Sequence, residues 1–220
     1  MARGEQEAAL GTMLAQLGYA RSPESRTEHL PPVPRTPRVP GLPQPAERWV
    51  RDLYAQLGGI QSEPRLAPRG WDHPLDGFIV ELDEEQHFTR YRALTLTPDW
   101  TTALPWRESY LLYCAQYERI ALDTRSSLGF WTNPGAESQF GPSAPRRDLS
   151  GGGSARWKQR ALYDAMRDAL AAIGGANLVR VAVWDRMGSR TLNDALRSPA
   201  TGDLELLEEL IAQRKLAPGG

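Results

Sequence analysis

The sequence is poor in several things at once. One cysteine, Cys114, stands among 220 residues, so no internal disulfide can form and an intracellular location is the default. Lysine is nearly absent: of 26 basic residues only Lys158 and Lys215 are lysines. Any chemistry that needs a titratable ammonium has these two candidates. Biased codon usage explains the imbalance more simply than bidentate phosphate recognition by arginine does. No apolar run approaches a membrane span, and the N-terminus lacks a charged-then-apolar signal pattern. Neither membrane insertion nor secretion is expected, and the cytoplasm is the expected compartment. The formal net charge is −1, so no global basic field advertises a polyanionic partner. Histidine is scarce, no H-E-x-x-H helix occurs, and there is no internal repeat.

What is present divides the chain in three. Residues 5–18 have helical composition and end on a glycine, giving an N-terminal helix within 1–20. Residues 31–45, "PPVPRTPRVPGLPQP", hold seven prolines and cannot be helix or central strand. A linker over 21–45 follows, with recognition of a protein partner through the N-terminal arm as the lesser alternative. A compact domain is expected over 46–220. "AERWVRDLYAQLGG" places Trp49, Val50, Leu53, Tyr54 and Leu57 on one helical face. One or two short strands fit between Ile60 and Asp72, "HPLDG" reads as a turn, and "FIVELD" (78–83) is the clearest strand. Residues 106–122 read as a largely buried helix. Residues 123–155 read as irregular, ending in "SGGGS", a flexible joint. Residues 156–175 are an amphipathic helix, 178–185 a second strong strand, and 203–215 a last helix with acids early and bases late. This order predicts an α/β or α+β domain with a sheet flanked by helices.

The strand FIVELD raises a physical problem. Side chains alternate faces along a strand, so Ile79, Glu81 and Asp83 point together. The two carboxylates lie about 7 Å apart along one face. Like charges beside an apolar strand are costly without compensation, and a divalent metal compensates both. A hairpin would return a third acid to Glu81. Asp72 leaves room for a proper turn, whereas Asp76 is better placed as a turn residue. Pairing of Glu81 and Asp83 with arginines, or exposure on an edge, is the bland alternative.

At "VELDEEQHF" (Val80–Phe88) the chain resembles the PD-(D/E)XK, restriction-endonuclease-like superfamily, and within it the very-short-patch-repair-like branch. "RWKQRALYDAMRDAL" followed by "LVRV" with Arg180 extends the resemblance. The same segments also resemble an uncharacterised bacterial protein family without assigned activity. The superfamily resemblance implies a restriction-endonuclease-like core at 46–94 and 156–185: a central mixed sheet flanked by helices. A helical insertion at 95–155 would interrupt it. It implies a Mg²⁺-dependent endonuclease (Mn²⁺ as substitute) hydrolysing DNA phosphodiesters in defence or repair, with Asp72 (or Asp76), Glu81 and Asp83 as metal ligands. The lysine expected two positions after the glutamate is Asp83 here. Lys158, or Gln86, would then supply the missing group at a catalytic site with Glu81 and Asp83. If no basic group reaches the acids, an inactive nucleic-acid- or protein-binding module on the same fold is the alternative. Such enzymes often dimerise, though no dimer surface is legible.

Other residues carry weaker expectations. Arg90 and Arg92 alternate after His87 and, with Arg160, are candidates for phosphate contact, with salt bridges as the competing role. His87 is a candidate general base or metal ligand, weighed against structural hydrogen bonding. His29 and His73 earn no role. Cys114 reads as core. Of the tryptophans, one or two between 95 and 140 are expected to be exposed for base stacking.

Overall fold

The computed structural model describes residues 4–21, 42–67, 70–123 and 131–216; the proline-rich segment and His29 lie almost wholly outside them. Among the described residues the chain is an α+β domain built on a three-stranded mixed sheet. Strands β1 (His73–Leu75) and β2 (Phe78–Asp83) form a tight hairpin, with Leu75 opposite Phe78 and Gly77 at φ 83° in the turn. β3 (Leu178–Ala182) runs parallel to β2, with Glu81 opposite Arg180 and Asp83 opposite Ala182. β2 is thus the central strand and is buried on both faces, which explains its near-continuous apolar run. A two-stranded ribbon, β4 (Arg186–Met187) and β5 (Arg190–Thr191), follows β3.

The helices are α1 (Glu5–Gln16), α2 (Ala46–Gln56), α3 (Arg90–Thr95), α4 (Arg107–Asp123), α5 (Pro134–Phe140), α6 (Ala155–Ala172), α7 (Leu192–Arg197) and α8 (Asp203–Arg214). α6 is the organising one. It packs against α2, α3 and α5 as well as the sheet, so most of its side chains are buried. Its apolar residues Leu162, Met166 and Leu170 meet Val50, Tyr54 and Leu57 of the α2 region in one core. A second core lies around the sheet, where Val80, Leu82, Val179 and Val181 meet Phe88, Trp106 and α8. None of the described helices is long and apolar enough to cross a membrane.

Several expectations are corrected here. No strand forms between Ile60 and Asp72 among the described residues; the Ile60 amide instead donates to the Gln139 carbonyl, tying this stretch to α5. α4 is half-exposed rather than largely buried, with Leu112 and Ile120 on its outer side. The stretch 123–155 contains α5, capped by the Asn133 side chain. The Ser150–Ser154 run is a built turn rather than a joint. Gly153 donates to the Ser150 carbonyl, and Ser154 caps α6 while donating to the Trp131 carbonyl. Helix α1 is part of the domain: Leu10, Met13 and Leu14 are buried in the sheet-side core, and Gln6 donates to Asn193.

Candidate active site

The face of the sheet under α6 carries an assembly of charge. Glu81 and Asp83 point to it from β2, Arg180 from β3, and Asp164, Arg167 and Asp168 descend from α6. The helical spacing 160, 164, 167 and 168 brings these charged side chains to one stripe. Arg180 sits at the centre. Its Nη1 donates to both Asp83 oxygens at 2.8 and 2.7 Å, its Nε to Asp168 at 2.8 Å, and its Nη2 to the Asp164 carbonyl at 3.3 Å. Arg92, fully buried, holds the other Asp168 oxygen at 2.6 Å. Only a planar multi-donor group can satisfy this set, which is work for arginine and not for lysine.

Toward the cleft the balance tips to acid. Asp72 reaches Glu81 as the hairpin geometry requires: its amide donates to Glu81 Oε1 at 3.0 Å, and its own Oδ2 accepts from the Leu82 amide at 3.2 Å. Asp76 is exposed in the β1–β2 turn. Arg167 contacts Glu81 at 3.2 Å and lies 5.6 Å from the Trp71 ring centroid. Burial pushes the Glu81 carboxyl up to about 8, against the pull of Arg167. His87 follows β2 on a short 3-10 turn; its Nδ1 lies 3.0 Å from Asp83 and 2.8 Å from Asp164. Burial works to raise the Asp164 carboxyl, but His87 and Arg180 hold it well below the usual carboxylate range. Asp83, His87 and Asp164 bring three ligand atoms within 4.8 Å of one another, a set that could hold a metal ion.

Two cavities meet at these residues. The larger, about 480 Å³, is lined by Asp72, Glu81 and Asp164 together with Arg156, Arg160 and Arg167. The smaller, about 240 Å³, shares Asp72, His87 and Arg160 with it and is walled by Gly4 and Glu7 of the α1 region and by Glu84. Arg160 donates to Gln86 at 2.9 Å across this junction, and burial draws its guanidinium down to about 10.

The structure therefore brings Asp72, Glu81, Asp83, Gln86 and Arg160 into one locality. It does not bring Lys158 there. Lys158 lies two positions from Arg160 on α6, about 200° around the helix. Its Nζ sits 5.8 Å from the Tyr91 ring centroid, beside Gly58. Arg90 and Arg92 do not share a face, because a helix and not a strand begins at Arg90. Arg90 makes a forked pair with Glu118 on the exterior, and Arg92 is sealed in the core. The expected exposed tryptophans are also packed: Trp106 and Trp131 are buried, and Trp100 stacks on Trp49 at 5.1 Å. Cys114 is buried, which pushes its thiol up to about 12. His73 lies buried in β1.

Asp164, Arg167 and Asp168 were not singled out by the sequence, although the helix that carries them was. The available signal was a charged stripe on a helix whose remaining faces are also apolar or small, leaving no side for solvent.

No curated protein and no solved structure matches the chain. The profile of one family, described as a family of unknown function, DUF7255, matches residues 52–198. That span contains every member of the charge cluster from Asp72 to Arg180, so the chain belongs to the DUF7255 family, and the candidate site lies inside the matched region.

Proposed function

We propose that this protein is a divalent-metal-dependent nuclease that hydrolyses DNA phosphodiester bonds, on a restriction-endonuclease-like core formed by the mixed sheet and α6. One observation carries the reading. A single cavity of about 480 Å³ gathers three acids and three arginines in its lining, with a metal-capable trio at its edge. Arginines suit the bridging and terminal oxygens of a phosphodiester, while clustered acids suit a cation that the phosphate also contacts.

The donor set fits such an ion, since His87 Nδ1 already points between two carboxylates. Asp83, His87 and Asp164 would hold it, with Glu81 and Asp72 beside them. The imidazole favours Mn²⁺ over the Mg²⁺ of the original expectation, because Mg²⁺ prefers an all-oxygen shell. When bound, the ion would supply an activated water and offset phosphate charge. The chain's own residues do the rest. Arg156 and Arg160 grip the phosphate. Arg180 fixes the orientation of Asp83, and the Asp72 amide fixes that of Glu81.

A second reading, a binding module without catalysis, is favoured by one specific arrangement. Arg180 occupies both oxygens of Asp83, and Lys158 faces away from the acids.

The test is cleavage of supercoiled plasmid and single-stranded DNA with Mg²⁺, Mn²⁺ or EDTA. Wild type is compared with Glu81→Gln and Asp164→Asn, conservative changes that leave Arg180 its other partners. Metal-dependent cleavage, reduced by about a hundredfold or more in the variants, is expected. DNA retention without cleavage under any metal would transfer the conclusion to the binding module.

A further inference from the structure

The two cavities that meet at Asp72, His87 and Arg160 differ in charge balance. The larger matches its three acids, Asp72, Glu81 and Asp164, with Arg156, Arg160 and Arg167. The smaller presents Glu7, Glu84 and Asp72 against Arg160 alone among arginines. Glu7 feels its neighbours there: burial first, then Asp72 and Glu84, push its carboxyl up. A polynucleotide lying across the junction would keep its phosphates among arginines on one side and force them against carboxylates on the other. Like charges juxtaposed in a confined, partly desolvated space act as a rejection device. The smaller cavity's volume, about 240 Å³, also falls below the usual range for ligand pockets, so it has room for one uncharged nucleoside but not for a continuing strand.

We propose that the site accepts the end of a nucleic-acid strand and not its interior. The terminal nucleoside, bearing a free hydroxyl, occupies the acidic chamber walled by Glu7 and Glu84, and the following phosphates lie among the arginines. This rests on the nuclease reading and specifies its substrate. In the reaction, water's oxygen bonds to the phosphorus next to the terminal nucleoside and the bond to one ester oxygen breaks. Water's proton ends on the departing oxygen, so one nucleoside or nucleotide leaves per turnover. Glu7 comes from α1, outside residues 52–198, so one of the chamber's acids belongs to a part of this chain that the family match does not include, whereas Glu84 lies within it.

Three forms of one single-stranded sequence test this with the full chain and Mn²⁺: linear with hydroxyl ends, linear with both ends phosphorylated, and circular. The hydroxyl-ended form should be shortened from an end. The phosphorylated and circular forms should react more slowly by about tenfold or more. In the double variant Glu7→Gln/Glu84→Gln, the ratio of the hydroxyl-ended rate to the other two should shrink to within about threefold. Equal cleavage of circle and linear strand by wild type would overturn the proposal while leaving the nuclease reading intact, and so would a gap indifferent to the double variant. If no form is cut, the nuclease reading falls, and competition binding decides this one. Preference for the hydroxyl-ended strand over the circle, lost in the double variant, would support it. Equal affinity, or no binding, would overturn it.

Discussion

At the scale of single residues, the cluster shows how much alternation can reveal and where it stops. Glu81 and Asp83 share a face because strand residues two apart must, and Asp72 returns to Glu81 because a two-residue turn leaves no other register. Their counter-charges were not legible, since Arg180 meets Asp83 across 97 residues of sequence and only a parallel pairing joins them. The same burial that hides these groups makes Glu81 a pH-sensitive element. Its carboxyl titrates near 8 in the fold, against 4.5 when free. Between those values the folded protein binds more protons than the unfolded chain, so Glu81's contribution to stability falls as pH rises from 4.5 to about 8. Asp164 behaves oppositely: held below its free value of 3.8, it contributes stability that is lost only as pH drops past that value. In urea titrations across this upper window, wild type should lose stability that Glu81→Gln retains, because an amide has no proton to release. A parallel decline in both proteins would assign the effect to another group.

At the scale of elements, helices were legible where an apolar stripe repeats and illegible where chain geometry is set by local contacts. α2 and α6 begin within a residue of their expected starts, and α6 ends three residues short of its expected limit, at Ala172. The 90–92 stretch was read as alternating, but its charged first residue sits outside and its third inside because α3 starts there. Glycines misled in the same way. The run before α6 suggests freedom, yet Gly153 adopts φ 57° with no room for a side chain. A Cβ there would lie 1.8 Å from the Tyr91 hydroxyl. That hydroxyl in turn accepts from the Ser154 amide at the start of α6. Gly153→Ala should therefore destabilise the protein by more than about 1 kcal/mol, read as a lowered thermal midpoint. An unchanged midpoint would mean the turn yields, and that α6 does not depend on it for its starting point.

At the scale of the whole molecule, the division into arm, linker and domain meets a structural fact: α1 buries Leu10, Met13 and Leu14 in the core that also holds β2 and β3. Low local helix amphipathicity hid this, because the buried positions of α1 are interspersed with Ala9 and Gly11, small residues that give little hydrophobic signal. Gly11 faces His73 of β1 at a distance where an added Cβ would stand 3.2 Å from the ring. Leu14→Ala should cost about 2–5 kcal/mol in urea unfolding, as for a core leucine. A cost near zero would restore α1 to the status of an appendage.

The pairing of β2 with β3 also governs when the site comes into being. The strand that brings Asp83 and the strand that brings Arg180 close a loop of nearly a hundred residues, and closing so long a loop comes late for entropic reasons. Until then Asp83 lacks the Arg180 guanidinium, and Asp168 lacks one of its two. During synthesis Asp83 emerges well before Arg180 and must wait for it. The junction of Asp83, Arg180 and Asp168 is therefore complete only when the chain has reached its final topology.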